Sequence, residues 1–177
     1  MKIKSNLRKQ VIPMDIKVSE KISPEYIEIV KDSLEDTEFK KLNLYIQHLK
    51  TTRLIHSLNV SYISWILAKK FNLDERAAAR AGLLHDFFLY RFSDPKPTKE
   101  FQAYYHPKVA AKNSEERFNL SEKERLAILS HMFPLGPLPS SREAWIISLA
   151  DKFCATTELV CLPIVFAKHD RIILNQA

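Results

Sequence analysis

"AGLLHDFFLY", residues 81–90, places two of the most hydrophilic side chains inside an otherwise apolar run. His85 and Asp86 stand side by side among residues that a chain uses to fill its interior. An unpaired ionised carboxylate is costly to bury, so something must meet it there. The sequence on either side decides what kind of interior this is.

Outward from the doublet the chain reads as helices. Asp74 caps an alanine-rich helix leading into it, and a preceding helix covers roughly residues 52 to 70. Further upstream, "SPEYIEIVKDSL" has Ser23 as N-cap, Pro24 at the first helical position and Glu25 in the first turn. That helical pattern extends, with a break near Asp36, to about Lys50. Downstream, "SDPKPTKE" is a loop, after which Pro107 is expected to start a helix to about Phe118. "SEKE" (Ser121 to Glu124) forms a capping box for a helix ending near His131. "SSRE" (Ser140 to Glu143) repeats that pattern before a long helix through Asp151, which Pro163 interrupts or ends. The expectation is an all-α, single-domain helical bundle over residues 23–177, its core at about 50–160, with residues 1–22 as an irregular arm.

Bulk composition agrees with this and limits the function. The chain's 177 residues suit one substantial core, and 46% hydrophobic with 27% charged residues is ordinary for a globular protein. Only two glycines occur, so few turns can require positive φ. No apolar run reaches the roughly 18 residues that span a bilayer. The basic N-terminus lacks the apolar centre of a signal peptide, so a cytoplasmic location is expected. Cys154 and Cys161 would lie about 10 Å apart on a helix, too far for a disulfide. The net charge of +6 favours anionic ligands but equally serves solubility, and no basic groove with interleaved aromatics supports nucleic acid.

The histidines carry more information. His56 shares a stripe with Val60, Ile63 and Leu67, so it faces inward with them. His85 shares a face with Ala78 and Ala81, with Asp86 close enough to reach the same centre. His131 follows Ala127 and Ile128, and Asp151 follows Ile147 and Ser148, again on apolar faces. His106 immediately precedes Pro107 and is expected at a helix N-terminus, where the dipole favours neutral imidazole. His48 and His169, among charged residues, read as surface groups. One buried histidine is most often a satisfied core residue. Inward-facing groups on four separate helices have a single physical cause in a divalent metal, which neutralises carboxylates and accepts imidazole nitrogens.

In this order and phase, His56, then His85 and Asp86, then Asp151 resemble the HD-domain superfamily of metal-dependent phosphohydrolases. "TRLIHSLNVSYISWILAKKFNL", "AARAGLLHDF" and "WIISLADKF" carry the likeness over roughly residues 50 to 160. Members with two metals add two histidines between the doublet and the distal Asp, similar to His106 and His131 here. The resemblance implies a binuclear centre of Fe, Mn, Ni, Co or Zn. His56, His85, Asp86 and Asp151 would hold the first ion, and Asp86 would bridge to a second held by His106 and His131. It also implies hydrolysis of a small phosphorylated substrate, a nucleotide foremost, by hydroxide bridging the ions, with Asp86 and Lys152 as catalytic residues.

The chain departs from the pattern in one respect. Many binuclear members follow the doublet with a small residue, Gly and a phosphate-binding Lys, whereas "HDFFLYRF" has neither the Gly nor the Lys. Arg53, Lys152 and Arg91 are the replacement candidates for the substrate phosphate. The phenylalanines and tyrosine of "HDFFLY" either stack a nucleobase or pack the core, with packing the commoner outcome. Two other functions fit the same residues: a di-iron oxygenase on the same six ligands, and a non-catalytic nucleotide- or metal-binding module. Homo-oligomerisation stays open.

Overall fold

The computed structural model describes residues 14–18, 22–160 and 172–176, and helices dominate them. Strands β1 (Met14–Val18) and β4 (Ile172–Gln176) pair antiparallel, Met14 opposite Gln176 and Val18 opposite Ile172. Part of the stretch expected as an irregular arm is therefore a strand. Cys161, Pro163 and His169 lie outside the described residues.

Helix α1 (Pro24–Glu35) starts at Ser23 with Pro24 in its first turn, as its sequence predicts. The break at Asp36 is also present: its extended backbone ends α1, and its carboxylate accepts the Phe39 N–H at 2.8 Å to start α2 (Thr37–Lys40). The expected continuation to Lys50 does not occur. The chain tightens into a 3-10 turn at Lys41–Leu44, then forms a hairpin of β2 (Ile46–His48) and β3 (Thr51–Thr52). Tyr45, Ile46, Thr51 and Thr52 are aromatic or β-branched and prefer extended backbone, and Leu49 turns the hairpin at φ 44°. Thr52 then accepts the Ile55 N–H and caps α3 (Arg53–Lys70).

Helix α3 is the central element, packed against α4 (Glu75–Leu84) on one side and α7 (Arg142–Leu159) on another. Asp74 caps α4 through the Ala77 N–H at 2.9 Å, as predicted. Gly82 sets the α3–α4 spacing: a Cβ there would stand 3.0 Å from Ser61 Cα. Neither glycine supplies a positive φ among the described residues; Asn72 takes the left-handed position after α3 instead, and Asn119 takes it after the helix that ends at Phe118. Tyr26, Phe39, Leu54, Leu58, Phe87 and Ile147 fill the core between these helices.

Helix α5 spans Gln102–Phe118, so Pro107 lies inside it rather than starting it. Proline in the second turn withholds the N–H that the Ala103 carbonyl would accept. A Cβ on Gly136 would stand 3.1 Å from Met132 Cβ and 3.2 Å from that oxygen, tight contacts that a glycine avoids. Helix α6 (Glu122–Ser130) has the full capping box on Ser121 and Glu124 and stops at His131. For α7 the cap is Ser141, one residue later than expected; Glu143 instead accepts the Asp74 N–H at 3.1 Å. Cys154 is a buried free thiol.

Candidate metal centre

Five segments deliver the expected ligands to one place. His56 comes from the first turn of α3, His85 and Asp86 from the end of α4, and His106 from α5. His131 caps the end of α6, and Asp151 lies midway along α7. His106 is one turn inside α5, not at its N-terminus, so the helix dipole is a smaller influence on it than expected. All six converge. His56 Nε2 lies 3.1 Å from Asp151 Oδ1, and His85 Nε2 lies 3.7 Å from the same oxygen and 3.5 Å from Asp86 Oδ2. Asp86 Oδ1 faces His106 Nε2 at 3.4 Å and His131 Nε2 at 3.6 Å, and those two nitrogens are 3.0 Å apart.

The outward edge of each ring is fixed. Nδ1 of His85, His106 and His131 meets the backbone carbonyls of Gly82, Gln102 and Ile128 at 2.7–2.8 Å. Nδ1 of His56 meets Glu158 Oε2 at 2.8 Å. A carbonyl or carboxylate can only accept, so a proton sits on each Nδ1; the inward-facing atom of every ring is then Nε2, which in His56 meets Asp151. Ordinary packing does not account for what results. His85 Nε2 and Asp86 Oδ1 are buried without a hydrogen-bond partner among the described residues. Each orphaned group costs about 1–3 kcal/mol. A divalent cation removes both penalties, and imidazole with carboxylate is a donor set that suits first-row transition metals. Three overlapping groups among the described residues bring their ligand atoms within 4.8 Å of one another: His48–His56–Glu158, His56–His85–Asp151 and His85–Asp86–His131.

The electrostatics separate the rings into two kinds. Burial pushes the His56 imidazolium down, but hydrogen bonds to Asp151 and Glu158 outweigh it and raise the group to about 10. Burial, with the charges of His85 and His106, pushes His131 down to about 3, and burial likewise lowers His106. Burial raises Asp86, yet the surrounding imidazoles hold it at about 2; Asp151 is also held well below the carboxylate range against burial, chiefly by His56.

The predicted phosphate cations fare differently. Arg53 is buried rather than presented to a ligand. Its guanidinium stacks 3.6 Å over Phe88 and donates to the carbonyls of Phe88 (2.6 Å) and Tyr90 (3.1 Å) and to Gln47 Oε1 (2.8 Å). Gln47 in turn donates to Asp86 Oδ2 at 2.5 Å. Lys152 is partly exposed beside the centre, its Nζ donating to the His131 carbonyl at 2.8 Å and lying 3.6 Å from Asp151 Oδ2. Arg91 is exposed in the loop after the doublet. Phe87 and Phe88 are both buried; Phe87 packs on Phe39 and Phe118 and serves the core, whereas the Phe88 ring lies under Arg53 and 5.3 Å from that of His106. Phe92, half exposed, has its ring 5.8 Å from that of His106.

Three neighbours of the centre were not legible as such. Glu158 lies two turns after Asp151 on the same face of α7, a spacing that could have revealed it. His48, expected at the surface, is half-buried with its ring 5.2 Å from that of His56. Burial and the charge of His56 lower its basicity. Gln47 shares the hairpin with His48, whose fold hid both.

An HD domain family model matches residues 53–156, more than half of the chain. No curated protein and no solved structure matches it. No helix among the described residues is long and apolar enough to cross a membrane.

Proposed function

Because this chain belongs to the HD-domain family, we propose that it is a metal-dependent phosphohydrolase acting on a small phosphorylated substrate, foremost a nucleotide. The observation that supports this most is Asp86 Oδ1, a buried carboxylate oxygen without a hydrogen-bond partner among the described residues, facing two imidazole nitrogens. His56, His85, Asp86 and Asp151 would hold one divalent cation, and Asp86, His106 and His131 a second. Bound cations supply the Lewis acidity that polarises a phosphoryl oxygen and acidifies water.

The protein's own groups do the rest. Backbone carbonyls and Glu158 keep the imidazoles in the ligating tautomer. Lys152 carries three N–H donors, two of which are engaged by the His131 carbonyl and Ser148 Oγ. The third would serve a phosphate oxygen entering beside Asp151, whose Oδ2 lies 3.6 Å from Nζ. Arg53 acts at one remove: it fixes Gln47, which fixes Asp86. Arg91, exposed in the loop after the doublet, is the second candidate cation for a substrate phosphate.

Elemental analysis of protein from unsupplemented cells, followed by phosphate release from a nucleotide panel with Mn²⁺, tests the reading. His85→Ala should lose bound metal and phosphate release together. A protein that binds no transition metal at micromolar concentration would sink it. Oxygen consumption without phosphate release would transfer the centre to oxygenase chemistry.

A further inference from the structure

We propose that Glu158 is a positioning residue: it holds the His56 proton on Nδ1 and makes His56 Nε2 the most strongly donating of the imidazole ligands. The inference rests on the metal-binding reading above and adds a residue outside the six ligands.

Helix α7 presents two carboxylates to one ring. Asp151 Oδ1 stands 3.1 Å from His56 Nε2, and Glu158, seven residues later on the same face, places Oε2 2.8 Å from Nδ1. Glu158 is 4% exposed, a burial that an ionised carboxylate tolerates only when donors satisfy it. Its other oxygen accepts from Asn59 Nδ2 at 3.1 Å, and Asn59 lies one turn after His56 on α3. Both donors thus come from one face of α3, so the α3–α7 contact fixes the ring's tilt as well as its tautomer.

The other three imidazoles are held differently. Each donates its Nδ1–H to a carbonyl of its own segment, a neutral acceptor three or four residues upstream. His56 is paired with a charge. A carboxylate behind an imidazole raises the basicity of the far nitrogen, and removing such a partner costs 10- to 100-fold in metal affinity. The two halves of the centre are therefore unequal by construction: the His56–Asp151 side binds its ion more tightly than the His106–His131 side.

Glutamine at 158 breaks this without changing the shape. An amide has one acceptor oxygen, so it can serve His56 or Asn59, and its NH₂ opposes whichever donor is left. A packing role for Glu158 would lower folding stability and leave the two affinities in proportion. A positioning role lowers one affinity alone.

The full-length protein, stripped with chelator, is titrated with Co²⁺ and followed by visible absorption and calorimetry, as wild type, Glu158→Gln and His85→Ala. The expected result is two binding steps in wild type, the tighter weakened 10- to 100-fold in Glu158→Gln and the weaker unchanged. Equal weakening of both steps, or no change in either, overturns the proposal. Failure of the metal-binding reading looks different, since wild type itself would then bind no Co²⁺ and match His85→Ala. If Glu158→Gln does not fold, ¹⁵N-histidine NMR of Zn²⁺-loaded wild type decides, with the His56 signals assigned by their loss in His56→Gln. A protonated Nδ1 and a coordinated Nε2 on His56 support the proposal; a bare Nδ1 overturns it.

Discussion

Loading the centre with metal at pH 8 should expel one proton from each chain. In the metal-free protein His56 bridges two carboxylates, Asp151 at Nε2 and Glu158 at Nδ1, and this holds the imidazolium up to about 10. A cation can take Nε2 only after that proton leaves. Four further candidate ligands have none to give: Asp86 and Asp151 are held below the usual carboxylate range, and His106 and His131 below the usual imidazole range. Between pH 8 and 9 the affinity of one step should rise about tenfold, or about 1.4 kcal/mol. From pH 8 to the His56 midpoint, the competition with the proton amounts to about 3 kcal/mol. Calorimetry of Mn²⁺ binding at pH 8 in two buffers of unlike ionisation heat counts the proton directly. Equal apparent heats in both buffers, or an affinity that is flat from pH 8 to 9, would refute the bridged imidazolium.

The same proton governs the stability of the metal-free protein. His56 is raised from an unfolded value near 6.5, so its contribution is complete below about pH 6.5 and is lost as pH rises through about 10. Urea midpoints of chelated protein should therefore fall from pH 6 to pH 10, on the order of 4 kcal/mol in stability, whereas an alkaline plateau would count against the assignment. Gly82→Ala pushes a methyl group against Ser61 Cα and should cost about 1–3 kcal/mol by thermal melting. It should weaken Mn²⁺ binding too, since the α3–α4 spacing places His56 beside His85. Lys152→Met, if Lys152 meets a substrate phosphate, should raise KM for the cleaved nucleotide at least tenfold while leaving metal stoichiometry intact. An unchanged KM would return Lys152 to its anchoring bond with the His131 carbonyl.

Most of the candidate ligands were legible because they lie on, or just past the end of, a helix whose apolar period betrays its inward face. His56 with Val60, and Asp151 with Ile147, needed only the helical repeat, and the structure places them where that repeat points. What escaped lies where the repeat does not apply. The β2–β3 hairpin has no periodic signature strong enough to overrule helix propensity around Leu42 and Leu44, so Gln47 and His48 seemed remote from the doublet. Pro107 misled for the opposite reason: proline is so common at helix starts that its place in the second turn of α5 goes against the usual preference. Arg53 shows the limit of charge as a guide. Its position one turn before His56 suggested a phosphate cation, but sequence does not reveal that carbonyls and an aromatic face wait inside to receive it.

Arg53 also bears on how, in the proposed centre, one carboxylate would serve two cations. A bridging role requires the two oxygens of Asp86 to stay distinct, and a buried aspartate free to rotate about its last bond would exchange them. Gln47 prevents this by donating to Oδ2, the oxygen on the His85 side, which leaves Oδ1 to His106 and His131. Gln47 must in turn present its NH₂ and not its oxygen. The Arg53 Nε–H, which can only donate, settles that by claiming Gln47 Oε1. The guanidinium thus sets the orientation of an amide, the amide that of a carboxylate, and the carboxylate divides the centre in two. On this account Arg53→Lys, which keeps the charge but loses the planar set of donors, should disorder the Asp86 side chain and weaken both metal steps together. Glu158→Gln should weaken only one, and that contrast separates the residue that divides the centre from the residue that strengthens one half of it.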